Sequence, residues 1–166
     1  VFAVDMVVPS IVLEDARRGD VEGVERWFAE GDRDVNDTTP HEYGITLLIA
    51  AAIGKKGHDQ SPGQCEMIRF LLAKGADVNK ATAFGMTPLH HAAFKAQYNA
   101  SLLLLNAGAH VDVRANSGFT ALMAATNHGH CDLIRTLLRR GASLDARDVH
   151  GRNAESYARE NEKAEA

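Results

Sequence analysis

Short apolar runs occur in pairs along the chain, and glycine and polar residues separate one pair from the next. In the most regular pair, Leu89, Ala92 and Ala93 recur at the spacing of one helix face, and a second apolar run follows at residues 102–105. The first face is made of small side chains, whereas the second run consists of leucines. This pattern predicts two short helices joined by a turn, an inner helix and then an outer one.

The residues that flank these runs are of the kinds that begin and end helices. Thr87 can cap the inner helix with its hydroxyl group, and Pro88 occupies the first helical position, where its missing N–H costs nothing. Gly108 follows the leucine run at the place of a C-terminal helix glycine. Residues 109–119 then lead through a turn to the next pair, so one unit is a helix, a second helix and an extended turn.

The units repeat with a stride of 33 residues. Glycine–alanine pairs keep this stride, and so does a second series of glycines in the turns: the pairs begin at Gly75, Gly108 and Gly141, and the turn glycines are Gly85, Gly118 and Gly151. A fixed period of this length is typical of stacked repeats rather than of a single globular core. It favours binding over catalysis as the function.

One helix start carries a recognisable motif. Residues 87–92 read Thr-Pro-Leu-His-His-Ala, which matches the T-P-L-H-x-A sequence of ankyrin repeats. Over residues 10–160 the chain therefore resembles the ankyrin-repeat family. The resemblance implies an all-α fold with short β-turn hairpins, a solenoid of stacked helix-turn-helix units. It also implies that His90 hydrogen-bonds to the backbone of a neighbouring repeat.

The repeats differ in regularity, and this sets the predicted domain organisation. An N-terminal extension (1–9) precedes the repeat domain (10–160), and a charged tail (161–166) follows it. The predicted repeats are 10–37, 38–80, 81–113, 114–146 and a partial fifth, 147–160, with little room for an outer helix. The second repeat holds 8 extra residues within 55–64, where Gly, Pro, Ser and charged residues indicate a solvated loop, and the hairpin around residues 38–40 is 3 residues longer than its counterpart.

Composition indicates a reducing compartment, the cytoplasm or the nucleus. A net charge of −4 and a pI near 6.1 give no electrostatic footprint for nucleic acid or for an anionic membrane. No apolar run approaches the roughly 18 residues of a membrane span. Cys65 and Cys131 fall two repeats apart, beyond the roughly 7 Å Cα–Cα limit of a disulfide, so both are predicted to be free thiols.

Candidate catalytic and metal-binding residues have plainer structural explanations. His128, His130 and Cys131 lie within four residues, but no second ligand cluster with zinc spacing accompanies them. Asp145 and Asp148 are interpreted as solvated charges in a turn. The sequence predicts no enzyme activity, no metal and no cofactor.

The candidate binding surface consists of turn tips and inner-helix ends, which the resemblance implies line a concave groove. The residues on either side of each turn glycine are predicted to point outward, and most are aromatic or large aliphatic: the pairs are Tyr43 and Ile45, Phe84 and Met86, Ser117 and Phe119, His150 and Arg152. The inner-helix ends add Phe94, Lys95, Asn127 and His128. An apolar stripe of this kind is typical of a partner site. The alternative is that Phe84 and Phe119 pack between neighbouring turns.

The predicted function is that of a non-catalytic, monomeric protein–protein interaction module, which binds an extended or helical peptide or the edge of a folded protein. Replacing Phe84 and Phe119 by alanine is predicted to abolish binding and to leave the helix content unchanged. An alternative is that the repeats are the regulatory or targeting region of a longer enzyme. Nucleic-acid binding is disfavoured, because two of the four candidate arginines lie where cations complement a helix dipole; the four are Arg135, Arg139, Arg140 and Arg147.

Two asparagines are candidates for modification. The resemblance implies that Asn36 and Asn79, at the ends of their repeats, are sites of asparaginyl hydroxylation. The structural alternative is that each side chain hydrogen-bonds within its own turn.

Overall fold

Nine helices make up the part of the chain that the computed structural model describes, residues 8–39, 43–55 and 62–164. Eight of them form four consecutive pairs, units one to four, and the last belongs to unit five. The first helix of each unit is the inner helix and the second is the outer helix. In chain order they are α1 (Ser10–Arg18), α2 (Val21–Ala29), α3 (Leu47–Ile53), α4 (Pro62–Ala73), α5 (Pro88–Phe94), α6 (Tyr98–Asn106), α7 (Ala121–Asn127), α8 (Cys131–Arg139) and α9 (Ala154–Ala164). These bounds confirm the predicted all-helical repeat.

The helices pack in two layers, and each helix contacts its counterpart in the next unit. Inner helices pack in the order α1, α3, α5, α7 and α9, and outer helices in the order α2, α4, α6 and α8. Completely buried alanines such as Ala50, Ala92 and Ala124 line the inner layer, and small side chains at a contact let neighbouring helices approach closely. Leucines and methionines from both layers fill the core between them, including Leu71 and Leu137.

The inner helices begin as the threonines predict. The hydroxyl oxygen of Thr46 accepts the backbone N–H of Ile49 at 3.2 Å, and that of Thr120 accepts the N–H of Met123 at 3.3 Å. Unit three has a capping box, in which the backbone N–H of Thr87 also donates to Nδ1 of His90 at 3.2 Å.

His90 links unit three to unit four, as predicted. Because Nδ1 accepts from Thr87, Nε2 carries the proton and donates to the carbonyl oxygen of Phe119, 3.0 Å away. Burial lowers the pKa of His90, although backbone hydrogen bonds to Phe119 and Val113 oppose the shift. The imidazole is therefore a neutral bridge between two repeats.

A second set of bonds joins each turn to the following unit. Asn36, Asn79 and Asp112 occupy equivalent places, and a side-chain oxygen of each accepts a backbone N–H of the next unit: from Asp77 at 2.7 Å, from His110 at 2.9 Å and from Ser143 at 2.8 Å. The two asparagines also donate to carbonyl oxygens of the next unit at 3.4 Å. The expectation that they bond within their own turns is therefore wrong, because their side chains reach across the repeat boundary. Their hydroxylation stays a prediction.

Two predicted boundaries differ from the structure. The helix α4 begins at Pro62, inside the predicted insertion, because proline is favourable in the first turn of a helix. Gln64 is buried there and donates to the carbonyl oxygen of Ala51 at 2.9 Å. At the other end, α9 continues to Ala164 and so includes most of the predicted tail. Residues 56–61 of the insertion and Pro40 of the enlarged hairpin lie outside the described residues, and Thr39 and Ile45 pair on either side of that hairpin.

The turn inside unit three contains a strained residue, which gives a stability prediction. Ala96 has a φ of 58°, whereas the corresponding turns of units one and four use Gly19 and Gly129, with φ of 77° and 66°. Because the left-handed region costs an L-residue roughly 1–2 kcal/mol, Ala96→Gly is expected to raise the free energy of unfolding by about 1 kcal/mol in urea titrations. Gly129→Ala is the mirror control and should lower it by a similar amount. If Ala96→Gly and Gly129→Ala changed the free energy of unfolding in the same direction, backbone strain at Ala96 would not be the explanation.

Candidate functional site

Two aromatic rings lie together on the turn tips of units two and three. The side chains of Tyr43 and Phe84 are 63% and 53% exposed, and their ring centroids are 4.9 Å apart at an interplanar angle of 45°. The carbonyl oxygen of Tyr43 accepts the N–H of Ala83 at 2.8 Å, which fixes the two tips side by side. Such a pair places a continuous aromatic surface in solvent without contributing to the core.

The backbone of Tyr43 is held in an unfavourable conformation. Its φ is 58°, a value that a bulky side chain rarely adopts. The equivalent residues of the later units, Phe84, Ser117 and His150, do not share it. Strain of this kind is concentrated at functional sites, and here it sets the ring against Phe84.

The same kind of backbone hydrogen bond joins the turn tips of the later units. The carbonyl oxygen of Phe84 accepts the N–H of Asn116 at 2.9 Å, and that of Ser117 accepts the N–H of Val149 at 2.9 Å. The residues before the turn glycines, Tyr43, Phe84, Ser117 and His150, are all exposed. They form one row, the turn-tip row, in which only the first two members are aromatic.

The residues after the turn glycines do not point outward as predicted. All four are half-buried: Ile45, Met86, Phe119 and Arg152. Ile45 and Phe119 pack against the hydrophobic core, and the Phe119 ring lies edge-on to that of Tyr157 at 5.3 Å. The prediction that a Phe119→Ala change spares the fold is therefore replaced by the expectation that it loosens the contact with unit five.

A second exposed group occupies the C-terminal ends of the inner helices. Phe94, the last residue of α5, is 40% exposed, and its ring meets that of His128 edge-on at 4.5 Å. The Lys95 ammonium lies 5.3 Å from the centroid of the Phe94 ring. Asn127 is half-buried beside them. We call Phe94, Lys95 and His128 the helix-end patch; it lies at the opposite end of the inner layer from the turn-tip row.

The described histidines near the ends of the inner helices differ in their surroundings. Burial lowers the pKa of His91 to about 4, and the neighbouring His90 and Lys95 side chains lower it further. His128 and His130 stack with their ring centroids 5.6 Å apart. Within the described ranges, no three His, Cys, Asp or Glu side chains are placed to hold a metal ion. Cys65 and Cys131 are free thiols, as predicted.

The prediction for Asp148 is wrong. Its side chain is buried, and it accepts hydrogen bonds from the Tyr157 hydroxyl group at 2.8 Å and from Arg152 Nε at 2.9 Å. The guanidinium group of Arg152 also covers the Tyr157 ring at 4.6 Å. Arg152 joins α9 to the last turn, and its contact with a partner stays a prediction.

Exposed leucines on unit four were not predicted from the sequence. Leu138 is 36% exposed and Leu144 is 56% exposed, whereas Leu105 and Val111, their equivalents in unit three, are covered by unit four. Unit five has no outer helix among the described residues, so nothing there covers this edge. The 33-residue period could have predicted this exposure, because it shows which apolar residues of a unit are covered by the following unit.

Fold and surface together define the class of the protein as a stack of helix-turn-helix repeats with exposed aromatic side chains on its turn tips. The sequence model of the family described as "Ankyrin repeats (3 copies)" matches residues 13–115 and, in a second overlapping match, residues 58–148. The chain belongs to the ankyrin-repeat family.

Curated relatives are much longer than this chain. The B-cell lymphoma 3 protein homolog of Mus musculus is 36% identical over 108 residues, which are 64% of this chain and 22% of that protein. The probable E3 ubiquitin-protein ligase XBOS33 of Oryza sativa subsp. japonica is 36% identical over 99 residues, 58% of this chain and 19% of that protein. The human ankyrin repeat and SOCS box protein 3 is 32% identical over 87 residues, 51% of this chain and 17% of that protein. The matches to these relatives therefore cover about a fifth of their length.

In the described ranges, no helix combines the length and apolar character needed to cross a membrane.

Proposed function

We propose that this chain is a protein-interaction module that binds a protein or peptide partner along the turn-tip row and the helix-end patch. The observation that carries the proposal is the exposed pair of Tyr43 and Phe84, 4.9 Å apart. Aromatic side chains are the commonest energetic anchors of protein interfaces, and an exposed cluster of them is costly for solubility unless a partner covers it. The half-buried residues behind the turns hold the row in place rather than contact the partner.

The proposed module has a defined oligomeric state and cellular compartment. It is monomeric, it acts in the cytoplasm or nucleus, and it needs neither nucleic acid nor a cofactor to bind. The free thiols of Cys65 and Cys131 support a reducing compartment. The stacked repeats support a preformed surface, which loses little conformational entropy when a partner binds.

A second role, as the targeting or regulatory part of a larger enzyme, is favoured by the relatives. One of them is named a probable E3 ubiquitin-protein ligase, and this chain covers 19% of its length. In such a protein the repeats would select the substrate while another domain performs the chemistry. The same surface would serve in both cases.

Affinity capture with matched bait variants tests the proposal. Tyr43→Ala combined with Phe84→Ala is expected to reduce partner recovery at least tenfold, because each buried aromatic anchor contributes about 2 kcal/mol. Recovery is measured by quantitative mass spectrometry. The control bait carries Ile11→Ala and Leu144→Ala, which remove side chains that are 72% and 56% exposed but lie elsewhere. Equal recovery with both baits would refute the proposed surface, provided that circular dichroism shows both to be folded.

A further inference from the structure

Positively charged or hydrogen-bond-donating side chains stand at the ends of three successive inner helices. Lys95 and His128 directly follow α5 and α7, Lys55 comes one residue later, after the Gly54 that ends α3, and all three are exposed. Adjacent members belong to neighbouring units: Gln97, just after Lys95, donates to the carbonyl oxygen of Ile53 at 3.5 Å. Phe94 and His128 are in ring contact at 4.5 Å. The three residues therefore form a row across units two to four, with the Phe94 ring beside its centre.

This row lacks an acidic counterpart within the described residues. No ion pair there involves Lys55 or Lys95, whereas Arg18, the equivalent cation of unit one, is 3.0 Å from Glu14. The carboxylate that follows His128 in sequence, Asp132, is held by Arg135 at 3.1 Å. Two exposed lysines without an ion pair, on neighbouring units of a chain of net charge −4, are thus a local positive feature and not a consequence of overall composition.

A cation at a helix C-terminus also complements the helix dipole. That effect is local to each helix, so it explains neither the exposed Phe94 ring nor its contact with the residue of the next unit. The combination of an exposed aromatic ring with the exposed lysines of two neighbouring units is complementary to a segment that carries both acidic and apolar residues.

The spacing of the row limits the conformation of such a segment. Neighbouring packed helices lie about 8–10 Å apart. A polyproline II helix has three residues per turn and advances about 9.3 Å per turn, so every third residue points the same way at nearly the same spacing. Proline rings also pack well on exposed aromatic side chains. A carboxylate at every third position would meet one unit after another.

We propose that the helix-end row of Lys55, Lys95 and His128 binds an acidic, proline-containing protein segment in an extended polyproline II conformation, with one proline on Phe94. This inference rests on the proposed function, since it names the chemistry of the partner for one end of the same surface. It commits to acidic side chains three residues apart as the recognised feature.

The test is direct binding of labelled peptides made of four Glu-Pro-Pro triplets, followed by fluorescence anisotropy at low and high salt. Binding is expected at low salt and should weaken as salt screens the exposed charges. The same peptide with Gln or Lys in place of Glu should bind at least about tenfold more weakly. An acidic helical peptide with Glu seven residues apart serves as a second comparison.

Protein variants assign the binding to the row. Lys95→Glu is expected to weaken binding of the Glu peptide about tenfold, because an attraction becomes a repulsion, and Lys95→Arg should retain it. The matched control is Arg139→Glu, which makes the same charge change at the C-terminal end of α8, far from the row in the outer layer. Phe94→Ser should weaken binding in the same direction as Lys95→Glu.

Several outcomes would overturn the inference: no binding of the Glu peptide at millimolar concentration, equal binding of the Gln peptide, tighter binding of the helical peptide, or equal losses for Lys95→Glu and Arg139→Glu. None of these would touch the proposed function if the Tyr43 and Phe84 variants still lose their partner. Conversely, the Tyr43 and Phe84 variants could capture the partner as well as wild type does while the Glu peptide still binds. The proposed turn-tip surface would then be refuted, and the helix-end row would stand.

Discussion

Replacing Gly19 by alanine is expected to lower the free energy of unfolding by about 3–5 kcal/mol. Gly19 ends α1 with a φ of 77°, and it touches the start of α4. A Cβ atom there would lie 2.3 Å from the carbonyl carbon of Gly63 and 2.6 Å from the backbone nitrogen of Gln64. Both the unfavourable backbone region and a clash with backbone, which cannot rotate away, contribute to the loss. Urea unfolding followed by circular dichroism measures it.

Gly75→Ala is the matched control for this prediction. Gly75 has a φ of 88°, but a Cβ atom there would meet nothing within 4 Å. The control isolates the backbone cost, so it should lower the free energy of unfolding by only about 1–2 kcal/mol. If Gly19→Ala and Gly75→Ala lowered the free energy of unfolding equally, the backbone conformation alone would explain the glycine at position 19. The close approach of α1 to α4 would then contribute nothing.

Local signals account for the part of the fold that could be predicted from the sequence. Thr120 caps α7, and the run at residues 102–105 forms the second half of α6, because capping and apolar spacing act within a few residues. His90 could be assigned to a neighbouring repeat because its motif is known. These features repeat with the stride, so one regular unit predicts the others.

Exposure at the turns could not be predicted in the same way, because it depends on what the next unit supplies. Phe119 looks as exposed as Phe84 in the sequence, but Tyr157, 38 residues later, covers one of its edges. Tyr43 and Phe84, which precede their turn glycines, remain exposed even though their rings contact each other. The left-handed backbone of Tyr43 has no sequence signal at all, since glycine or asparagine would be expected at that φ.

The residues of the helix-end patch could be predicted from the sequence, but their contacts could not. Phe94, Lys95 and His128 were identified from their positions at helix ends, but the ring contact between units three and four requires the packing of α5 on α7. The significance of Lys55 was missed, because in the sequence it is one of several polar residues in an insertion. It lies one position beyond Gly54, the residue of unit two that corresponds to Lys95 and His128.

Asp148→Ala is expected to lower the free energy of unfolding by about 2–4 kcal/mol at pH 7, because it leaves one buried and several partly buried donors without a partner. The Tyr157 hydroxyl group, Arg152 Nε and the backbone N–H groups of His150 and Arg152 all donate to this carboxylate, at 2.8–2.9 Å. These bonds join α9 to the last turn, and the Tyr157 ring that they hold lies against Phe119. Asp145→Ala, an exposed acidic residue in the same turn, is the control and should change stability by about 0.5 kcal/mol or less.

The pH dependence of the same pair of variants separates the charge of Asp148 from its packing. Burial alone would raise the pKa of Asp148, but the hydrogen bonds from Tyr157, Arg152 and His150 outweigh burial and hold the pKa well below its usual range. A carboxyl group whose pKa is lower in the folded state stabilises the fold above its unfolded pKa of about 3.9, and this contribution is lost as the pH falls toward the folded pKa. The difference in stability between wild type and Asp148→Ala should therefore shrink from pH 6 to pH 2.5, measured by thermal unfolding. A constant difference over that range would mean that the carboxylate contributes through its volume and not through its charge.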